Sequence, residues 1–189
     1  MKVTIISGSA RKGNNTLRVA RAFQKLMPGS VLVDFQEYDI PSLAENFVSK
    51  ASETKFQTTL IKAIDDCDLL LVLTPEYNWF PSAEIVNMIH QLGTNEYASI
   101  FDNKVIANIG VSVGRGGRMP AVQLGYVFNK IINFFNLNSI TSPKTFEAQE
   151  VLACISKDGE LLSNDVFNAG IQNFLEYSLK VAQRWHLNS

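Results

Sequence analysis

Val3-Thr4-Ile5-Ile6-Ser7-Gly8-Ser9-Ala10-Arg11-Lys12-Gly13-Asn14-Asn15-Thr16 is the stretch that decides how this 189-residue chain folds. The β-branched run reads as a buried strand, and it stops abruptly in glycine, hydroxyl, amide and cationic residues. A helix beginning near Asn14 then turns its positive end and its unpaired amides toward that loop. Gly8 and Gly13 let the backbone bend where a side chain would obstruct a ligand. Ser9 and Thr16 offer hydroxyls, Asn14 and Asn15 offer amides, and Arg11 and Lys12 supply charge, with the planar fork of Arg11 suited to phosphate oxygens. Neither Gly-x-Gly-x-x-Gly nor Gly-x-x-x-x-Gly-Lys-Ser/Thr is present, so the loop reads as a cradle for one phosphate. Taken alone, the same residues also describe an ordinary strand-to-helix turn capped by Asn14.

Working outward, three more apolar runs read as strands: Ser30 to Phe35, Asp68 to Leu73 and Lys104 to Val111, with the first over Lys2 to Ser7. Helical periodicity covers about Asn14 to Leu26, Thr54 to Ile64, Ser82 to Leu92, Pro120 to Phe135 and Val166 to Trp185. A fifth strand is expected near Asn138 to Thr141 or Val151 to Ile155. This alternation predicts an α/β three-layer sandwich, a parallel sheet with helices on both faces, and for five strands the order considered is 2-1-3-4-5. In that order the loops after strands 1, 3 and 4 share one crevice at the carboxyl edge. They are also the most unusual segments of the chain, which favours a ligand site over three unrelated turns.

The second of them, Thr74-Pro75-Glu76-Tyr77-Asn78-Trp79-Phe80-Pro81, carries two prolines and three large aromatics on a segment that should lie at the surface. A flat heteroaromatic ligand would use such a turn, its faces covered by rings and its edge read by backbone groups. For Trp79 and Phe80, packing against neighbouring loops or a second subunit is an equal alternative. The third, Ser112-Val113-Gly114-Arg115-Gly116-Gly117-Arg118, presents bare backbone beside Ser112 and Arg115, either of which can bond to carbonyl oxygens.

Gly8-Ser9-x-Arg11-Lys12-Gly13, then Pro75-Glu76-Tyr77-Asn78 with Asn87 nine positions later, then Gly110-x-Ser112-x-Gly114-Arg115-x-Gly117, resembles the NADPH-dependent FMN reductase family over roughly Met1 to Phe135. That family includes quinone, chromate and azo-dye reductases. The resemblance implies a flavodoxin-like fold and non-covalent FMN, with NADPH or NADH as co-substrate and a small molecule as electron acceptor. By position, Ser9, Arg11, Asn14, Asn15 and Thr16 would hold the phosphate, and Pro75, Glu76, Tyr77 and Asn78 would border the isoalloxazine. Ser112, Gly114, Arg115 and Gly116 would close its other side, and Asp39 to Leu43 would contribute to the mouth and the subunit contact. A homodimer is implied, with a tetramer as the alternative. The chain departs from the family pattern at Asn14, at Trp79-Phe80-Pro81 and at Val86, where a lysine is usual. No catalytic side chain is expected, since the flavin carries the chemistry. A flavodoxin-type electron carrier and a non-catalytic flavin-binding regulator are the alternatives, and the near-neutral charge disfavours the acidic carrier.

Composition narrows the classes further. A hydrophobic share of 46% without low-complexity tracts fits one domain over residues 1–189. A net charge of −1 with scattered Lys and Arg argues against a nucleic-acid partner. No apolar run is long enough for a membrane span and no leader pattern opens the chain, so a cytoplasmic protein is expected. Cys67 and Cys154 read as buried free thiols, and His90 and His186 have no third ligand spaced for a metal.

Overall fold

The computed structural model describes residues 1–187. Strands β1 (Val3–Ser7), β2 (Val31–Asp34), β3 (Leu69–Pro75) and β4 (Val105–Val111) alternate with helices α1 (Asn15–Leu26), α2 (Lys55–Asp65), α3 (Ala83–Leu92) and α4 (Arg118–Phe134). The expected boundaries hold to within two residues. Strands β5 (Ile140–Thr141) and β6 (Phe146–Ala148), the single turn α5 (Val151–Cys154) and the long α6 (Asp165–His186) complete the chain. All strand pairs are parallel, in the order β2-β1-β3-β4-β5, with β6 also on β4.

The edge strand differs from the expectation of one continuous fifth strand. Ile140 and Thr141 pair with Val105 and Ile106, and Phe146 to Ala148 pair with Ile109 to Val111. Pro143 lies in the gap, and a residue without an N–H is tolerated only where a ladder is interrupted or at its edge. The alternative position, Val151 to Ile155, is a helical turn instead.

Alternation along the strands builds the two cores. Ile5, Leu69, Leu71, Leu73, Ala107 and Ile109 face α1 and α6, packing on Val19, Phe23, Ile171 and Phe174. Ile6, Leu70, Val72 and Ile106 face the other way, onto Leu60 and Ile64 of α2, Met88 of α3 and Leu124 of α4. A sheet buried on both faces requires apolar residues at every position, which is why β3 is buried throughout. Pairing Ser7 with Leu73 and Pro75 with Val111 brings the carboxyl ends of β1, β3 and β4 to one edge. Among the described residues no helix is long and apolar enough to cross a membrane.

Candidate active site

Asn14 shapes the first loop. Its Oδ1 accepts from the Leu17 amide at 2.7 Å as the cap of α1, while its Nδ2 donates to the carbonyls of Ser9 (3.1 Å) and Arg11 (2.7 Å). The side chain expected to donate to a phosphate therefore organises the loop that would bind it. Gly13 adopts a φ of +65°, and its amide donates to Gln36 Oε1 at 2.8 Å. Lys12 directs its charge away, donating to the Gln36 carbonyl and pairing with Glu37 at 3.2 Å. Facing the cleft are Ser9, Arg11, Asn15 and Thr16. Thr16 Oγ1 is buried without a hydrogen-bond partner among the described residues, in the first turn of α1, where the leading amides have no intrahelical carbonyl to bond.

The second loop is a two-residue hairpin. Tyr77 and Phe80 exchange backbone hydrogen bonds at 3.0 Å in both directions, with Asn78 at φ +52° and Trp79 at φ +71° between them. Two consecutive positive φ values define a type I′ turn, a conformation Asn accepts and a bulky residue resists. Trp79 is 70% exposed at the tip and Phe80 63%. The Tyr77 hydroxyl reaches back to Ser9 Oγ at 3.3 Å. Ser82, buried at the start of α3, was not among the expected site residues, although its position before an apolar helical run marks it as an N-cap. Its Oγ donates to the Gly8 carbonyl at 2.5 Å and accepts from the Ile85 amide, locking the first loop to the second.

Glu76 joins the second loop to the third by accepting a hydrogen bond from the Gly117 amide. A Cβ at Gly116 would lie 2.6 Å from that carboxylate, and one at Gly110 would lie 1.7 Å from the Gly117 carbonyl oxygen. The glycines of this loop thus serve close contact between backbone and neighbour. Ser112 lines the cleft together with Val111 and Val113, while Pro75, Glu76 and Tyr77 form the facing wall. Asn78, Gly114, Arg115 and Gly116 do not line it. The Arg115 side chain is exposed and pairs with Glu150 at 3.6 Å.

The segment after β2 is held from α3. Asn87 Nδ2 donates to Tyr38 Oη at 2.7 Å and to the Pro41 carbonyl at 2.9 Å, and Gln91 spans Pro41, Asn46 and Val48. Burial pushes the Tyr38 hydroxyl up to about 12 despite the Asn87 bond.

The three loops enclose a cleft of about 160 Å³, below the ~300–1,000 Å³ of a site that holds a whole small ligand. An unpartnered buried hydroxyl, a half-engaged serine, free first-turn amides and Arg11 suit the phosphate end of FMN. The ring would lie outside, toward the aromatic hairpin. A larger cavity of about 560 Å³ opens at the amino edge between β1, β2 and α2. It is mainly apolar and contains none of the unsatisfied buried polar groups found among the described residues, whereas the carboxyl-edge cleft contains Thr16.

Residues 1–147 match the sequence profile of NADPH-dependent FMN reductases. The chain belongs to the NADPH-dependent FMN reductase family. Among relatives, a 2-hydroxy-1,4-benzoquinone reductase of a Burkholderia species is 28% identical over 118 residues, 62% of this chain and 63% of that protein. The match therefore spans less than two thirds of that relative's length. A quinone reductase of Pseudomonas putida is 30% identical over 131 residues, 67% of this chain and 69% of that one. A solved flavoenzyme, NAD(P)H:(acceptor) oxidoreductase of Paracoccus denitrificans, superposes with a TM-score of 0.75 at 20% identity over 97% of both chains. A flavodoxin from the domain Archaea superposes at 0.54 and 8% identity, covering 98% of this chain and 99% of that one. At these identities the likeness speaks to the fold, which is flavodoxin-like as expected.

Proposed function

We propose that this FMN reductase family member oxidises NAD(P)H and reduces a quinone, working in the cytoplasm as a homodimer of single-domain chains. The observation that carries the site assignment is the buried Thr16 hydroxyl, without a partner among the described residues, in a cleft built jointly by three separate loops. The quinone reductases among its relatives support the acceptor class. Buried free thiols at Cys67 and Cys154 suit a reducing compartment.

When bound, FMN supplies two-electron transfer between the nicotinamide and the acceptor. The protein's own contribution is position and charge. Thr16, Ser9, Arg11 and the α1 amides would hold the phosphate, Asn14 keeps those donors in place, and Glu76 clamps the second loop to the third. The amides of Tyr77 and Ser112 are engaged within the protein, donating to the carbonyls of Phe80 at 3.0 Å and Ala148 at 2.8 Å, so they would shape the walls beside the ring and not donate to it. Trp79 and Phe80, with Met119, Val122 and Tyr126 exposed on α4, supply apolar area for a second copy. The Glu76–Gly117 bond ties the start of α4 to that hairpin. A second copy would cover the ring that the small cleft leaves outside.

The test is to load the purified chain with FMN, bleach its visible absorption anaerobically with NADPH, and restore it with a benzoquinone. Sedimentation should give twice the chain mass of 21.0 kDa. Failure to bind FMN, or bound FMN that NADPH and NADH both leave oxidised, rejects the reading.

A further inference from the structure

A second cleft lies on the other side of the Gly13–Asn14 segment. It encloses about 400 Å³ between α1 and the hairpin that follows α5, and Gly13 and Asn14 line both clefts. The hairpin is closed by the Ile155–Leu161 bridge and by the Ser156 amide donating to the Glu160 carbonyl at 2.9 Å. Gly159, at φ +83°, lets it press against the helix: a Cβ there would sit 2.6 Å from Arg21 Cβ and 2.8 Å from the Ala22 nitrogen. The tip therefore lies directly on α1 and forms a wall of the cleft.

Arg18, Arg21 and Lys157 converge on this space, opposed only by Asp158 among the carboxylates of its lining. Three cations against one anion is a local excess in a chain whose net charge is −1. Neighbouring lysines are neutralised, Lys12 by Glu37 and Lys25 by Glu160. Arg18, Arg21 and Lys157 make no ion pair among the described residues. The guanidiniums are anchored instead by main-chain carbonyls, Arg18 Nη1 on Ile155 at 3.3 Å and Arg21 Nη1 on Lys157 at 3.4 Å. Each has further N–H donors, because a guanidinium carries five. Like charges held together without counter-charges are unfavourable unless an anion joins them, and two arginine forks beside a lysine match a phosphate dianion.

We infer that the cleft between α1 and the 155–161 hairpin receives the 2′-phosphate of NADPH and sets a preference for NADPH over NADH. The inference rests on the reading of the chain as a nicotinamide-dependent reductase. The phosphate loop already provides for the phosphate of FMN, and the second cleft adjoins it across a single turn of chain. A dinucleotide reaching the flavin from this side would carry its adenosine end past Arg18, Arg21 and Lys157. NADPH differs from NADH only by a dianion at that end, and arginine is the residue that reads it in other dinucleotide sites.

The experiment uses the FMN-loaded full chain and the double variant Arg21→Gln, Lys157→Gln. Lys157→Gln alone serves as the milder change, since that side chain is exposed and donates no hydrogen bond among the described residues. Calorimetric titration with 2′,5′-ADP and with 5′-AMP reads binding without turnover, and steady-state rates are taken with NADPH and NADH. The wild type should bind 2′,5′-ADP more tightly than 5′-AMP. The double variant should lose about tenfold in 2′,5′-ADP affinity, with a matching rise in KM for NADPH, while 5′-AMP binding, KM for NADH and the flavin spectrum stay as they were. Equal losses with both dinucleotides would assign the cleft to their shared diphosphate and overturn the inference, as would no change with either. A chain that shows the expected 2′,5′-ADP pattern yet never oxidises NADPH would sink the reductase reading and leave the cleft's specificity standing.

Discussion

Thr16 and Trp79 are each held in a position their chemistry disfavours in the free protein. A buried hydroxyl without a partner costs about 1–3 kcal/mol, so Thr16→Val should leave the FMN-free protein as stable as wild type or about 1 kcal/mol more so, by urea unfolding. The same change should weaken FMN binding about tenfold in a fluorescence titration. A loss of stability without a loss of affinity would make Thr16 a packing residue. Trp79 occupies the second central position of a type I′ turn, where glycine is the natural occupant. Trp79→Gly should raise the unfolding free energy by about 1 kcal/mol. If the exposed ring covers bound substrate, KM for the quinone rises in the same variant. Neither residue could be understood from local sequence: the hydroxyl looks like any helix-start threonine, and the turn's handedness follows from the Tyr77–Phe80 pairing.

At the scale of elements, contacts between loops matter more than the loops themselves. Gly110 ends the apolar run of β4 and Gly117 opens α4, and the two backbones meet where either Cβ would collide. Gly110→Ala should push Gly117 off Glu76, cost about 1–3 kcal/mol in chemical denaturation, and abolish FMN retention on desalting. Full retention would show that the Glu76 clamp is dispensable. The apolar runs and the three unusual loops were plain in the sequence, because burial on both faces demands continuous hydrophobicity and a ligand-facing turn demands residues that a solvent loop does not. Less visible was the division of labour within them. Asn14, expected as a phosphate donor, and Glu76, expected to border the ring, both bond to the protein's own backbone, and Arg115 turns outward to Glu150. The split of the edge strand around Pro143 was hidden because β5 and β6 are only two and three residues long, too short to show a period.

For the whole molecule, the two buried thiols make stability depend on alkaline pH. Burial beneath the sheet pushes the Cys67 thiol up to about 11 and raises Cys154 as well. In the unfolded chain thiols ionise near pH 8.5, so above that value the unfolded state releases protons that the folded state still holds. Stability is therefore full below about pH 8.5 and falls as pH rises, by up to about 1.4 kcal/mol per unit from Cys67 until its own range is reached, with Cys154 acting in the same direction. Urea midpoints between pH 8.5 and 10 should decline, and Cys67→Ala should make the decline shallower. A midpoint independent of pH across that window would mean that the thiols ionise as readily in the folded chain.

Sequence alone determined the α/β alternation and the three unusual loops that follow β1, β3 and β4, since hydrophobic periodicity and loop chemistry are local properties that a chain displays residue by residue, whereas the strand order that brings those loops to one edge is a matter of packing. Tertiary structure decided which donors remain available there. It also brought Arg18 and Arg21 of α1 against Lys157, more than 130 residues away, because charges this distant in the chain become neighbours only when packing on a common sheet sets the distance between them.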